Sequence, residues 1–250
     1  MPISQDIKEI LMPGASKIKV RDVRIGLGYT AVMLENDQVG LAFTFHHDLD
    51  RGCNILYGLH PLKGQPASRL IALLDSTDKI ETAVALATAN ALVNGLREGL
   101  LEGDIIEYLH IEPADSIGMV GYFVPLIPRL KEKTSSIFIF EQIKQKQGIL
   151  LPEEELHRLM PQCEVSIISS TSIVNHTVDD ILYASRSCRE VVLLGASTPL
   201  IPEVFTGTSA TFLSGVVVTD PLGILRIVSE GGGVRLFKNA VKKVNISLRG

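Results

Sequence analysis

The chain has 250 residues, with 28 acidic against 24 basic side chains and a formal net charge of -4. That length can bury a full hydrophobic core without staples, and a mildly acidic balance lacks the basic footprint of a nucleic-acid binder. Cys53, Cys163 and Cys188 are widely spaced and odd in number, which argues against a disulfide framework and fits a reducing, cytoplasmic setting.

A mean hydropathy of +0.26 with only 5% aromatic residues points to an aliphatic, alanine-rich interior of the α/β kind. Residues 1–6 show neither a basic region nor an apolar run, so no secretory signal is read. The most apolar long window, residues 80–96, is interrupted by Glu81, Asn90 and Asn94, which a membrane span would not readily tolerate. The expectation is a soluble protein with no membrane and no nucleic-acid partner.

Taken in order, residues 4–11 read as a short helix and residues 18–45 as three strands, with turn chemistry at Glu35-Asn36-Asp37 between the last two. An antiparallel meander follows from that pattern. Residues 46–66 then lose periodicity altogether. A loop of that length is usually functional or mobile, and His46, His47, Asp48, Asp50 and Cys53 are metal-ligand types within it. Adjacent histidines point opposite ways in an extended chain, so a solvated loop is the plain alternative.

A short helix over residues 67–74 and a longer one over 79–97 come next. Asp78 with Glu81 resembles a capping box, and Ile80, Ala83, Val84, Ala87 and Ala91 form a core stripe. Asn90 and Asn94 share a face. Asn90 either ties down a loop or points into a site between domains. Residues 100–115 read as a domain linker, dividing the chain into an α+β unit over 1–112 and a mostly parallel, Rossmann-like unit over 113–250.

The second unit turns on residues 116–141. An apolar run carrying Gly118 and Gly121, a crossover, and a second run ending in Glu141 is how a first βαβ unit reads. Glu141 stands where a carboxylate could accept from a ribose or similar diol, although the glycines are too sparse for the full dinucleotide fingerprint. Beyond it, a strand-then-helix beat predicts a mostly parallel sheet of five strands. Pro152 with Glu153, Glu154 and Glu155 reads as a helix start explained by the dipole. Thr177 with Asp180 reads as a cap, and Asp220-Pro221 as another.

In an open α/β sheet, ligands bind outside the carboxyl ends of the strands. Three loops compete for that place: residues 121–123, residues 170–176 with Thr171, Asn175 and His176, and residues 195–199 with Gly195, Ser197 and Thr198. Their hydroxyls and free N–H groups suit anionic oxygens, and His176 or Glu141 could move protons.

The order of these segments, with the alanine-rich run over residues 87–92, residues 117–123, Ser-Thr-Ser-Ile-Val-Asn-His-Thr over 170–177, Gly-Ala-Ser-Thr-Pro over 195–199 and Thr-Asp-Pro over 219–221, resembles the heavy-metal-chelation family. The resemblance implies an enolase N-terminal-like domain ahead of a Rossmann-like one, and a site in the cleft between them to which Asn90, Asn175, Gly195 and Ser197 contribute. It brings no settled chemistry.

Three functions stay open. The first is binding or transformation of a small anionic molecule, metal-chelating or pterin-like, in that cleft. The second is non-catalytic metal binding or delivery through His46, His47, Asp48 and Cys53, with His176 as a further candidate ligand; across these readings the cofactor is open between a divalent transition metal and a small organic chelator. The third is a methyltransferase-like binder of S-adenosylmethionine, with Glu141 on the ribose. Oligomeric state is not readable, a homodimer being the commonest closed assembly.

Overall fold

A computed structural model describes residues 1–45, 55–95, 99–143 and 145–249. Helix α1 (Ile3–Ala15) buries Ile3, Ile7, Leu11 and Ala15 along one face. It outruns the expected end at Leu11 because Pro13 removes a single hydrogen bond in the last turn while the apolar stripe continues to Ala15. The strands β1 (Val20–Ile25), β2 (Tyr29–Leu34) and β3 (Val39–Phe43) form the expected meander, antiparallel throughout and in sequence order.

Helix α3 (Lys79–Leu92) covers this small sheet, and α2 (Ala67–Ile71) packs on α3 and α1. Asp78 caps α3 by accepting from the N–H groups of Ile80 and Glu81 at 2.9 and 3.3 Å. The return arm of the capping box runs through a third residue: Ser76 Oγ donates to Glu81 and accepts from the Asp78 N–H. Within α3, Ile80 and every residue from 82 to 91 are buried. A helix apolar on all sides belongs between layers, and α3 packs on β2 and β3 on one side and on the second half of the chain on the other. Gly40 on β3 makes the close approach possible, since a Cβ there would stand 2.1 Å from both Ala87 O and Ala91 N. The helix stops at Leu92, short of the expected residue 97, because Asn94 leaves the helical path to bond the backbone of the second half.

The second half contributes β4 (Leu101–Glu102), β5 (Ser116–Val120), α4 (Ile127–Lys131), β6 (Ser136–Glu141), β7 (Leu150–Pro152), α5 (Leu156–Leu159), β8 (Val165–Ser169), α6 (Thr171–Val174), α7 (Val178–Ala184), β9 (Glu190–Leu194), β10 (Phe212–Val218), α8 (Pro221–Ser229) and β11 (Val241–Ser247). The eight strands lie in the order β4-β11-β10-β9-β8-β5-β6-β7. From β7 to β10 all neighbours are parallel, and β11 and β4 extend the sheet antiparallel. After β4 at the far edge, the chain starts the parallel part in the middle at β5, winds outward through β6 and β7, and then crosses back to β8 and outward again. That is a doubly wound order with its switch point between β5 and β8.

All five expected strands are present, and three more were not foreseen. β7 is three residues long, β4 lies inside the segment read as a linker, and β11 is an antiparallel edge whose paired lysines, Lys242 and Lys243, blur its alternation. Two local readings change as well. Pro152 ends β7 and is the residue just before, not the first residue of, the helical turn Glu153–Glu155 that runs on into α5, and Thr177 gives α7 no side-chain cap, its hydroxyl donating instead to Asn175 Oδ1 at 2.8 Å. Asp220 does cap α8, accepting from the Gly223 N–H at 2.9 Å. Among the described residues, no helix is long and apolar enough to cross a membrane.

Candidate functional site

A cleft opens at the carboxyl ends of β5, β6 and β8, beside the switch point. Gly121, Glu141, Ser169, Thr171, Ser172 and Asn175 line it, together with Glu153, Thr177 and Phe45 from the small-sheet half. Each group arrives there for a local reason. Gly121 ends β5 with φ +93, and a Cβ on it would press within 2.9 Å of Ser169 Cβ, so the turn requires glycine. Glu141 ends β6, and its carboxylate is steadied by the N–H groups of Tyr122 and Gln142, both at 3.1 Å. β7 pairs Pro152 with Glu141, and that register delivers Glu153 alongside.

The electrostatics of the cleft follow from that pairing. Burial raises the Glu153 pKa, a hydrogen bond with Gln142 opposes the shift, and the neighbouring charges of Glu141, Glu154 and Asp180 raise it further. The floor is neutral. Asn175 Oδ1 accepts from Thr177 N–H at 3.3 Å and from its hydroxyl at 2.8 Å, which leaves Nδ2 as the donor end of the amide. Ser172 is 3% exposed, and its Oγ has no hydrogen-bond partner. A buried hydroxyl without a partner carries a desolvation cost that a ligand atom would relieve.

The cleft measures about 70 Å³. A wider hollow of about 310 Å³ adjoins it through Glu153 and Thr177 and is lined by Glu154, His157 and Asp180, the last two 2.8 Å apart. Ligand pockets for drug-sized molecules run to roughly 300–1,000 Å³. A whole nucleoside would therefore have to spread from the cleft into the hollow.

Of the residues singled out in the sequence, Gly121, Glu141, Thr171 and Asn175 come together here. Others lie elsewhere. Gly118 faces the core, where a Cβ would meet Met160 Sδ at 2.5 Å. Asn90 Nδ2 donates to Leu41 O at 2.8 Å and Ser197 O at 3.1 Å, and Ser197 Oγ accepts from Phe43 N–H at 2.8 Å. These two residues bind the halves together and do not line the cleft. A Cβ on Gly195 would stand 2.7 Å from Ser170 Oγ, and Thr198 is 3% exposed with an unpartnered hydroxyl. His176 has φ +61, and its ring Nε2 donates to Ser76 O at 2.8 Å, again across the two halves. His46, His47 and Cys53 lie outside the described residues, as do Asp48 and Asp50. Glu153 and Ser172 were not singled out. Glu153 was hidden by its helix-start context, and only recognition of β7 would have placed it.

A family model described as "Putative heavy-metal chelation" matches residues 104–247, and a second model with the same description matches residues 8–93. The chain belongs to this family. It is 26% identical over 260 residues to an uncharacterized protein of Methanocaldococcus jannaschii, covering 98% of each. A crystal structure of a family member with unknown function from Pyrococcus horikoshii superposes with a TM-score of 0.86 at 25% identity, over 98% of this chain and 99% of that one. One from Desulfitobacterium hafniense superposes at 0.83 with 24% identity, over 98% of each chain. These family structures share the two-part α/β architecture.

The family description raises the question of a metal cage. Among the described residues, no group of three or more His, Cys, Asp or Glu side chains is placed to hold a metal ion. Glu141 and Glu153 can therefore supply only part of a coordination shell in the cleft.

Proposed function

We propose that this chelation-family protein binds a small metal chelate in the cleft between β5, β6 and β8. The observation that carries the reading is the pairing of two carboxylates, Glu141 and Glu153, above a floor of neutral donors, Ser172 and Asn175. An anionic molecule alone would meet repulsion from both carboxylates. A chelate resolves this, because its metal faces the carboxylates while its oxygens accept from the Ser172 hydroxyl and the Asn175 amide. The organic ligand also completes the coordination that two carboxylates leave open.

The test is native mass spectrometry of protein purified without chelators. The expected adduct carries the mass of one organic molecule and one metal ion, and both are lost together in Glu153→Gln and in Asn175→Ala. An adduct that is lost in both cleft variants yet carries metal alone, or a metal-free organic molecule, would overturn the reading.

A further inference from the structure

At the amino ends of β8 and β9, the sheet edge opposite the cleft, two cysteines and a methionine are neighbours. The parallel register sets Val165 opposite Glu190. Cys163 and Cys188 each stand two residues before these paired strand starts. The backbone there is pinned, since the N–H groups of Arg189 and Glu190 both donate to Glu164 O, at 2.7 and 3.1 Å. Cys163 is extended, and Cys188 follows the turn after α7, its N–H donating to Ser185 O at 3.0 Å.

Their hydrogen bonds agree with that placement. Cys163 Sγ donates to Leu159 O at 3.5 Å and Cys188 Sγ to Met160 O at 3.7 Å, the carbonyls of consecutive residues. The third sulfur is that of Met160 itself. A Cβ on Gly118 would stand 2.5 Å from Met160 Sδ and 3.3 Å from Cys163 Sγ, so the two sulfurs are neighbours over that glycine. Met160 is fully buried and Cys163 is 3% exposed, while Cys188 is half-buried and opens the group towards solvent. Both cysteines are free thiols.

Two thiolates and a thioether are the donor set that soft monovalent ions prefer over hard divalent ones. We infer that Cys163, Cys188 and Met160 form a binding site for a soft monovalent metal ion of the Cu(I) or Ag(I) class, separate from the cleft. As the ion enters, both thiols release their protons to solvent, three metal–sulfur bonds form, two to thiolates and one to the Met160 thioether, and no electron is transferred. The loaded site carries one net negative charge. Cys188 is the entry point, and Met160 closes the inner side of the coordination.

The test uses the full chain with Cys53→Ser, which removes the remaining cysteine. The protein is equilibrated with Cu(I) buffered by a competing chromophoric chelator under reducing conditions, and bound copper is read by native mass spectrometry. One ion per chain is expected. It should be absent in Cys188→Ser and in Cys163→Ala, about tenfold weaker in Met160→Leu where the thioether donor is lost, and unchanged in Glu153→Gln at the cleft. Circular dichroism checks that each variant is folded, and the half-buried Cys188→Ser is the variant least able to disturb the core. Failure of the parent chain to retain copper, or retention by folded Cys188→Ser, would overturn the site. So would an intact mass lower by two hydrogens, the mark of a disulfide in place of a metal.

Discussion

Asn94 and Val218 are hydrogen-bonded in both directions: the Val218 N–H donates to Asn94 Oδ1 at 2.8 Å, and Asn94 Nδ2 donates to the Val218 carbonyl at 3.2 Å. One amide thus replaces a neighbouring strand at the end of β10, where pairing with β9 has already stopped after Ser214. One helical turn earlier, Asn90 bonds Leu41 O and Ser197 O. Asn90 within α3 and Asn94 just past its end therefore hold the halves of the molecule together. Asn94→Ala should cost about 2 kcal/mol, because two hydrogen bonds are lost and two backbone groups are stranded. Asn94→Asp should cost at least as much, since it sets a carboxylate oxygen against the Val218 carbonyl. Urea unfolding measures both, and an alanine variant as stable as the parent would show that packing alone holds the seam.

Gly40 offers a sharper test of the same seam. Its added Cβ would meet backbone atoms, Ala87 O and Ala91 N at 2.1 Å and Asn90 C at 2.6 Å, and backbone cannot turn aside as a side chain can. Gly40→Ala should therefore force α3 off β3 at a cost of about 3 kcal/mol, the upper end of ordinary overpacking. Thermal unfolding of the variant against Gly14→Ala, whose Cβ would meet nothing within 4 Å, separates this from a general glycine effect.

The sequence carries the meander, α3 and the five central strands openly, because each pairs an apolar period with turn or cap residues that agree with it. It conceals β7, whose three residues are too few to show a period, and with β7 it conceals Glu153. Gly121, Glu141, Thr171 and Asn175 were legible because strand ends and turn chemistry mark the carboxyl edge of such a sheet. Asn90 and Ser197 look the same in sequence. Whether a polar residue faces a cleft or bonds a partner helix depends on the packing of distant segments, and local pattern does not encode it.

Glu190 begins β9 with its side chain 1% exposed, and its Oε2 lies 2.8 Å from Arg249 Nη2. The same guanidinium reaches Arg189 O at 2.6 Å and covers the Phe212 ring. Glu190 is the buried member, and removing its half-exposed partner Arg249 strands its carboxylate. Arg249→Ala should destabilise the chain by about 3 kcal/mol, and adding Glu190→Gln should return much of that loss. A double variant no better than Arg249→Ala in urea unfolding would show that Arg249 acts through Phe212 and the chain end instead.

Burial pushes the Cys163 and Cys188 thiols up to about 12, with help from Glu164, and burial pushes Tyr29 to the same value. A raised pKa means that the folded chain holds its proton more tightly than the unfolded chain does. The associated stability is complete below the unfolded values of about 9 for the thiols and 10 for the phenol. It is lost as pH rises towards 12. Unfolding midpoints should hold steady up to about pH 8.5 and then fall, and Cys163→Ala with Cys188→Ala should flatten the first part of the fall. A flat profile through pH 11 in the parent chain would contradict the assignment.

Glu153 is the cleft group for which stability and binding should move in opposite directions. Its pKa is raised by burial and by Glu141, Glu154 and Asp180, despite the hydrogen bond with Gln142. The folded chain therefore favours the protonated form, and the carboxylate ionised at neutral pH is a cost to folding. That cost disappears as pH falls through the raised value and the group takes up its proton. Glu153→Gln should accordingly give a small upward shift of the thermal midpoint at pH 7 and no shift near pH 4, because solvent screening keeps a half-exposed group modest. The same variant should lose the cleft adduct. A carboxylate that folding would rather discharge, yet that a ligand requires, is how a binding group differs from a structural one. If Glu153→Gln lowers the midpoint at pH 7, the carboxylate is holding the fold together, and its place in the binding site must be given up.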